Sequence, residues 1–203
     1  MQRKGESMGR EFELKYRADS GVLEEISRRF APFDTITMET DYYDSPEGAL
    51  RARHWMLRKR LENGAAVCTL KTPLPDGSRG EWEVSAPSIE EALPLLLAAG
   101  CPGELEDLAR PGLLLWCGAR FTRLARKVSC ADSVLELALD QGVFLGGGQE
   151  QPFAELEVEL KEGTEADCRT FAQTLAGAYG LVPEEKGKAQ RAFALAEQRQ
   201  ERL

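Results

Sequence analysis

Charged residues alternate with apolar residues along several short segments, and these charges are the side chains best suited to chemistry. The first segment is Glu11-Phe12-Glu13-Leu14-Lys15, in which the three charges stand two residues apart. Because side chains two residues apart on a β-strand share a face, such a segment would have one charged and one apolar face. Charges whose even spacing places them on one strand face recur further along the chain at Arg58 and Arg60; at Arg79, Glu81 and Glu83; at Glu136 and Asp140; and at Glu155, Glu157 and Glu159.

The chemistry open to such residues is phosphoryl transfer. Carboxylates two apart on a strand lie about 7 Å from each other, and two strands of this kind can direct oxygen ligands at a hard divalent cation such as Mg²⁺ or Mn²⁺. Arginine and lysine on neighbouring strands can hold phosphate oxygens, arginine as a fork and lysine as a point charge. A metal site beside a cationic clamp is the equipment that phosphoryl transfer needs. No P-loop or other glycine-rich phosphate motif is present.

The elements that would position these side chains are mainly paired strands. Alternation predicts strands near 10–17, 36–44, 55–61, 65–71, 79–85, 120–129, 133–140 and 153–161. Helical periodicity predicts helices near 20–30, 88–99, 164–179 and 188–202. Ser88 with Glu91 predicts a capping box, and the glycines at 146–148 predict a hairpin turn. Because the strands come in adjacent pairs, the sheet should be mainly antiparallel.

The repeated parity of the strands predicts an α+β fold with a closed eight-stranded antiparallel β-barrel and flanking helices. The helices need apolar surface to pack on, and the apolar strand faces supply it. The charged faces would then line one polar interior, or tunnel, able to hold a ligand. An antiparallel sheet with one solvated face is the simpler alternative for any single strand.

Composition excludes several classes of protein. The net charge of −8 argues against a general nucleic-acid binder, although residues 51–80 carry seven Lys and Arg against two acids. The sequence has no run of about 20 apolar residues and no apolar signal region, so neither a membrane nor a secretory role is expected. Five widely spaced cysteines without a CxxC motif indicate reduced thiols in a cytoplasmic protein. His54 is the only histidine, which argues against a histidine-based triad or zinc site.

The ordered set of these motifs resembles the CYTH family, also called triphosphate tunnel metalloenzymes. The family's E-x-E-x-K motif is similar to residues 11–15, and its L-R-x-R strand to residues 57–60. The resemblance runs from about residue 10 to residue 195, and its further motifs are Tyr42-Tyr43-Asp44 with Leu50, Thr69-Leu70-Lys71, Arg79-Gly80-Glu81-Trp82-Glu83, Phe121-Thr122-Arg123, Leu139-Asp140, Glu155-Leu156-Glu157 and Gly187-Lys188-Ala189-Gln190-Arg191. The last motif has glycine where the family has serine.

The resemblance implies a role for each matching residue. The implied metal ligands are Glu11, Glu13, Asp140, Glu155 and Glu157, for Mg²⁺ or Mn²⁺. The implied polyphosphate ligands are Lys15, Arg58, Arg60, Lys71, Arg79, Arg123, Lys188 and Arg191, with Lys15, Arg58, Arg60 and Arg123 catalytic. For Arg79 and Arg191, a solvent-exposed position without a ligand explains the charge equally well.

Several assignments stay open at this point. Glu81, Glu83 and Glu159 would bind a second metal or pair with arginines. Lys186 competes with Lys188 for the C-terminal clamp, and the parity of the strand leaves Arg120 and Arg126 as alternatives to Arg123.

The expected function is metal-dependent hydrolysis of a triphosphate, with inorganic triphosphate as the first candidate. Residues 1–203 would form a single tunnel domain, with 1–9 flexible, that binds a small-molecule polyphosphate. A homodimer is an open alternative to a monomer. The alternatives are a thiamine- or nucleoside-triphosphatase, a class IV-type adenylate cyclase and a non-catalytic polyphosphate-binding module.

Overall fold

The structure is a computed structural model that describes residues 12–74 and 79–198. The described chain forms two compact units. The first contains Tyr42–Arg60 and Ala66–Leu115, and the second contains Phe12–Asp41, Leu61–Ala65 and the chain from Trp116 onward. Glu11, the first predicted metal ligand, lies outside the described residues.

Strands are the most abundant elements of the described chain, and each predicted strand is present. The strands are β1 (Glu13–Arg17), β2 (Asp34–Asp44), β3 (Met56–Glu62), β4 (Ala65–Pro73), β5 (Arg79–Ser85), β6 (Leu114–Cys130), β7 (Ser133–Gly146), β8 (Gln149–Glu162) and β9 (Val182–Pro183). β6, β7 and β8 extend beyond their predicted ends, and the two-residue β9 was not predicted. The turn between β7 and β8 is formed by Gly147 and Gly148, both with positive φ, which confirms the predicted hairpin.

Six helices accompany the strands in the described residues. They are α1 (Ser20–Phe30), α2 (Ala49–Ala52), α3 (Ile89–Ala98), α4 (Glu104–Ala109), α5 (Glu165–Tyr179) and α6 (Lys188–Glu197). The side chain of Ser88 accepts a hydrogen bond from the backbone N–H of Glu91, so α3 begins where the capping pattern predicts. α2 and α4 were not predicted, because four and six residues are too few to display helical periodicity.

The sheet is antiparallel in the pairs β1–β8, β4–β5, β6–β7 and β7–β8, as adjacent strand pairing predicts. The full order of hydrogen-bonded strands is β5-β4-β3-β2-β6-β7-β8-β1-β9. Among the described residues this order has two ends, β5 and β9, and nine strands rather than eight. The antiparallel sheet with helices is therefore present, while the closed eight-stranded barrel stays a prediction.

The second unit buries the apolar faces of its strands beneath helices. Its core joins Leu137 of β7 and Leu156 and Val158 of β8 to Ile26 of α1 and Ala172 of α5. Phe12 and Leu14 pack against the same core, as strand parity predicts. The first unit has a separate core in which strand residues Leu57 and Leu70 join α3 and α4. In the second unit this arrangement leaves the opposite faces of β7 and β8 to the charged residues.

A carboxylate and cation cluster as the candidate site

The register of the second unit aligns its charged residues in rows across the strands. In one row, Arg123 of β6 lies opposite Asp140 of β7, and Asp140 lies opposite Glu155 of β8. On the far side of β8, Glu155 lies opposite Arg17 of β1. Directly cross-strand side chains approach to within about 5.5 Å, so this register places Arg123 and the two carboxylates in contact range.

The neighbouring row carries a second cation and carboxylate. Glu157 of β8 lies opposite Lys15 of β1 on one side and opposite Ala138 of β7 on the other. Ala138 in turn lies opposite Ala125 of β6. Because two alanines contribute only methyl groups, they leave room for the longer side chains of the first row.

Asp140, Glu155 and Glu157 form a triad of carboxylates, the acid triad. Each contributes an oxygen, and these oxygens lie within 4.8 Å of one another. Within residues 12–74 and 79–198, it is the one group of three or more His, Cys, Asp or Glu side chains with ligand atoms this close together. Asp140 and Glu155 are fully buried, and Glu157 is 9% exposed. Carboxylates are rarely buried to this extent without paired cations or a metal ion.

Arg123 pairs with two members of the acid triad. Its Nε donates to Asp140 Oδ1 at 2.8 Å, and its Nη2 donates to Asp140 Oδ2 at 2.7 Å and to Glu157 Oε2 at 2.6 Å. Burial opposes the charge on the guanidinium, but the hydrogen bond and ion pair with Asp140 and the charge of Glu157 outweigh it and raise the pKa of Arg123. The side chain is thus a fixed cation with a bidentate grip on Asp140.

Lys188, the first residue of α6, brings a second cation into the acid triad. Its Nζ lies 2.6 Å from Asp140 Oδ2 and 2.8 Å from Glu157 Oε1, and it also forms an ion pair with Glu155 Oε1. Burial lowers the stability of the ammonium, but the charges of Asp140, Glu157 and Glu155 outweigh it and raise the pKa of Lys188.

Arg191, one helical turn later, holds the remaining carboxylate oxygen. It donates to Glu155 Oε2, and its other nitrogen lies 3.9 Å from Glu184 Oε2. Residues three apart on a helix share a face, which explains why α6 delivers both Lys188 and Arg191 to the same cluster.

The position of α6 depends on a close approach to β7. At Gly146, a Cβ atom would lie 2.8 Å from the backbone nitrogen of Ala196 and 2.9 Å from the carbonyl oxygen of Ala192. A larger residue would therefore push α6 away from the strand. At the start of the helix, the backbone N–H of Gly187 donates to the side chain of Gln190 and orients the first turn.

Aromatic rings lie close to the cationic groups of Lys188 and Arg191. Lys188 Nζ lies 5.2 Å from the ring centre of Phe121, and the Arg191 guanidinium lies 4.8 Å from that of Phe144. Phe153 stacks on Phe144 at 4.2 Å between ring centres. The rings therefore provide cation–π contacts to Lys188 and Arg191 in addition to their carboxylate partners.

The pKa of Glu157 responds to these neighbours. Burial alone would raise it, but Lys188 first and then Arg123 lower the pKa of this carboxyl to about 2. The side chain is therefore an anion at neutral pH, as an oxygen ligand for a divalent cation must be.

The first unit has its own charged contacts, on β3, β4 and β5. Arg58 Nε donates to Thr69 Oγ1 at 3.3 Å, and Thr69 Oγ1 donates to Glu83 at 3.2 Å. Lys71 Nζ lies 2.7 Å from Glu81. Burial, and then the nearby charge of Arg60, lower the pKa of Arg58. Arg58 is thus a partly buried cation on the same face as other charges, the environment expected of an anion ligand.

The remaining candidates lie outside these close contacts. Glu13 pairs with Lys15 at 2.9 Å and is partly exposed. Glu159 pairs with Lys161 at 2.7 Å. Arg79 is exposed at the first position of β5.

The alternatives to Arg123 and Lys188 are placed elsewhere. Arg120 pairs with Asp41 at 2.5 Å, and Arg126 donates to the carbonyl of Phe30. The side chain of Lys186 is exposed, while that of Lys188 is 11% exposed within the acid triad.

Two participants were missed by sequence reasoning. Glu184 pairs with both Arg17 and Arg191, but it stands in a loop where no alternation marks it. Thr69 was noted within the T-L-K motif without a role, although its hydroxyl bridges Arg58 and Glu83. A threonine among charged residues on one strand face was the available indication.

The acid triad fits a hard divalent cation by its chemistry. Its ligand atoms are all carboxylate oxygens, which Mg²⁺ and Mn²⁺ prefer to imidazole or thiolate. The ammonium of Lys188 already lies among the same oxygens, so the site attracts a cation.

No helix in the part of the chain that the structure describes is long and apolar enough to be a candidate membrane span.

The chain is similar in sequence to a known protein family and to a curated protein. The CYTH domain model matches residues 9–193. An inorganic triphosphatase from Haemophilus influenzae is 29% identical over 195 residues, covering 93% of this chain and 55% of that protein. The chain thus spans about half the length of this curated relative.

Solved structures share the fold at lower identity. A putative adenylyl cyclase from Hippeastrum, described as having a dominant triphosphatase activity, aligns with a TM-score of 0.63 at 18% identity, covering 93% of this chain and 95% of that one. A putative adenylate cyclase from Bacillus halodurans aligns with a TM-score of 0.58 at 20% identity, covering 90% and 97%.

Proposed function

Because the chain belongs to the CYTH domain family, we propose that it is a metal-dependent hydrolase of a triphosphate, with inorganic triphosphate as substrate. The observation that carries the proposal is the buried acid triad with Arg123, Lys188 and Arg191 set among its oxygens. Ion pairs with a purely structural role can form between exposed charges, and they do not require three carboxylates to face one point. The curated relative named an inorganic triphosphatase supports the choice of substrate.

The metal site would be built on the acid triad, with Glu11 and Glu13 as further ligands on the strength of the family resemblance. When bound, Mg²⁺ or Mn²⁺ supplies a Lewis acid that neutralises phosphate oxygens and lowers the pKa of bound water. Asp140 and Glu155 are suited to hold it because both are buried and both point into the triad.

The chain's own cations would bind and orient the polyphosphate. Arg123 and Lys188 present N–H groups at the triad, and Arg191 lies beside them. Arg58, Arg60, Lys71, Arg79 and Lys15 are proposed as further ligands of phosphate oxygens, with Lys15, Arg58, Arg60 and Arg123 catalytic. Such groups act by stabilising charge on the non-bridging oxygens as the terminal phosphoryl group is transferred.

Water is the proposed nucleophile. The one histidine, His54, is exposed. A nucleophilic side chain paired with an adjacent base was not found among the described residues of the cluster, where carboxylates are held by arginine and lysine. Attack by water on a terminal phosphorus would therefore release phosphate directly.

The wider proposal keeps the architecture predicted from the sequence. Residues 1–203 would act as one domain whose sheet closes into an eight-stranded tunnel. The protein would work in the cytoplasm, without a nucleic-acid or membrane partner, as a monomer or a homodimer.

A class IV-type adenylate cyclase is the second candidate, because solved structures that share the fold are described as putative adenylate cyclases. Cyclisation requires a site for adenine and ribose in addition to the triphosphate grip. Thiamine triphosphate and nucleoside triphosphates are the alternative substrates for hydrolysis.

A substrate panel separates these candidates. Phosphate release and cyclic AMP release are measured from inorganic triphosphate, thiamine triphosphate and ATP with Mg²⁺, Mn²⁺ or EDTA. We expect phosphate release from inorganic triphosphate to exceed the others and to stop in EDTA. Glu155→Gln should abolish it, while Glu150→Gln, on an exposed position of the same strand, should not. Cyclic AMP as the main product, or full activity in EDTA, would refute the proposal.

A further inference from the structure

The oxygens of the acid triad comprise an outer set that contacts only arginines and an inner set that contacts Lys188, and one inner oxygen, Asp140 Oδ2, also accepts from Arg123. Arg123 holds Glu157 Oε2 and bridges both oxygens of Asp140, and Arg191 holds Glu155 Oε2. The inner oxygens, Asp140 Oδ2, Glu155 Oε1 and Glu157 Oε1, converge on the ammonium of Lys188. One ammonium therefore lies where three carboxylates would direct ligand atoms at a metal ion.

Glu155 Oε1 is fully buried, and the contact the structure gives it is the ion pair with Lys188 Nζ, without hydrogen-bond geometry. An ion pair of this kind depends on charge and distance rather than on a directed proton. A metal ion, which needs no directional proton, can be approached by all three oxygens.

The charges do not allow the ammonium and a metal ion to share this position. The three carboxylates are balanced by Lys188, Arg123 and Arg191, and all six side chains are mostly buried. A divalent ion bound to the inner oxygens would lie next to the ammonium that contacts the same oxygens, and like charges at such close range in a poorly solvated cluster repel each other. One of the cations must leave, and the arginines are the more firmly placed because they bind the outer oxygens.

The ammonium of Lys188 has an alternative position beside two aromatic rings. Lys188 is the first residue of α6 and carries a flexible four-carbon side chain. The rings of Phe121 and Phe153 lie 5.2 Å and 5.9 Å from its Nζ, so a small rotation keeps the ammonium against an aromatic face.

We propose that Lys188 is a built-in competitor for the metal site: it occupies the inner oxygens of the acid triad in the metal-free protein and leaves them when a divalent cation binds. The displaced ammonium is then available to a phosphate oxygen. Metal binding and exposure of Lys188 are thus coupled, and the coupling rests on the proposed metal site of the preceding section.

The test measures metal binding without substrate. Mn²⁺ titrations followed by electron paramagnetic resonance of the free ion compare the wild type with Lys188→Met, which keeps the side-chain length and removes the charge. Lys186→Met is the matched control, because Lys186 is exposed two residues earlier. We expect Lys188→Met to bind Mn²⁺ at least about tenfold more tightly, a ratio that corresponds to about 1.4 kcal/mol. The control should bind as the wild type does.

A second readout uses the wild type alone and so does not depend on how a variant folds. Acetylation of lysines by a water-soluble acylating reagent is mapped by mass spectrometry with and without Mn²⁺. Lys188 should be protected in the metal-free protein and should become reactive on addition of Mn²⁺, while Lys186 should react equally in both.

The outcomes separate this inference from the proposed function. Equal Mn²⁺ affinity in the wild type and Lys188→Met, with loss of binding in Glu155→Gln, would overturn the competition and leave the metal site intact. Protection of Lys188 unchanged by saturating Mn²⁺ would overturn it in the same way. Absence of Mn²⁺ binding in every variant would overturn both the competition and the metal-dependent function.

Discussion

Arg123 and Asp140 lie directly opposite each other on β6 and β7, and the guanidinium of one donates two hydrogen bonds, of 2.8 Å and 2.7 Å, to the carboxylate of the other. A shift of β6 by one residue against β7 would turn Arg123 to the opposite face of the sheet from Asp140. The pair therefore fixes the position of one acid-triad member and one candidate phosphate ligand at the same time.

Replacing the Arg123 guanidinium by the ammonium of lysine should lower both the stability of the fold and the rate of turnover. Arg123→Lys keeps the charge but cannot bind both oxygens of Asp140 and reach Glu157. We expect the free energy of unfolding to fall by about 1–3 kcal/mol, the cost of leaving a buried charged acceptor unpaired. We expect kcat/KM for triphosphate to fall by roughly tenfold or more, since bidentate sites do not accept lysine.

Urea unfolding and phosphate release measure the two effects. Arg120→Lys on the same strand is the control, because Arg120 pairs with Asp41 outside the acid triad and should affect turnover little. Equal loss of turnover in both variants would contradict the assignment of Arg123.

Gly146 should control the docking of α6. In Gly146→Ala the new methyl group would meet backbone atoms of Ala192 and Ala196 at less than 3.0 Å. We expect a loss of about 1–3 kcal/mol in the free energy of unfolding from overpacking. Turnover should fall as well, because α6 carries Lys188 and Arg191. Thermal unfolding and phosphate release test this expectation.

Gly177→Ala is the matched control for that substitution. Gly177 lies within α5 with nothing within 4 Å of an added Cβ, so alanine should stabilise the protein slightly. Unchanged stability and turnover in Gly146→Ala would show that α6 tolerates displacement from β7.

The metal-free protein should lose stability in acid through Glu157. Its pKa is about 2 in the folded state against an ordinary value of 4.5, so its contribution is complete above about pH 4.5 and is lost as pH falls toward 2. The pKa of Lys188 is raised above 10.5, so its contribution is complete below pH 10.5 and is lost at still higher pH. The two shifts together predict a stability plateau between these limits.

Denaturant unfolding in EDTA, compared between the wild type and Glu157→Gln, isolates the acidic limb. The difference in free energy of unfolding should shrink as pH falls from about 5 to 2. A difference that stays constant over this range would mean that Glu157 titrates normally.

Arg58 should matter for catalysis more than an exposed arginine nearby. Arg58→Ala should lower kcat/KM by roughly 10²–10³, the scale of losing one preorganised charge-stabilising group. Arg53→Ala, at an exposed position just before β3, should leave kcat/KM within a factor of about two. Comparable losses in the two variants would remove the reason to assign Arg58 to the site.

Direct attack by water predicts where an oxygen label goes. Hydrolysis of inorganic triphosphate in ¹⁸O-water, under single turnover, should place one label in the released phosphate and none in the diphosphate. Mass spectrometry of the two products measures this. A ³²P-labelled protein trapped by acid quench, or label found in the diphosphate alone, would contradict the mechanism.

Strand parity in this protein is a property of the sequence by itself. Residues 154–161 alternate strictly between apolar and charged. In β8, Glu155 and Glu157 accordingly lie on the face opposite to that of Leu156 and Val158. The glycines at 147 and 148 likewise fix a hairpin turn. These features follow from local backbone geometry, in which a side chain's face depends only on its position along its own strand.

The pairing of the charges was decided by tertiary structure. Sequence reasoning assigned the C-terminal clamp to Lys188 with Lys186 as an alternative, and the docking of α6 on β7 at Gly146 put Lys188 among the carboxylates. It also left Arg123 uncertain beside its neighbours, until the register with Asp140 placed it. Such contacts join residues 17 and 31 positions apart, whose distance depends on register and helix packing rather than on local periodicity.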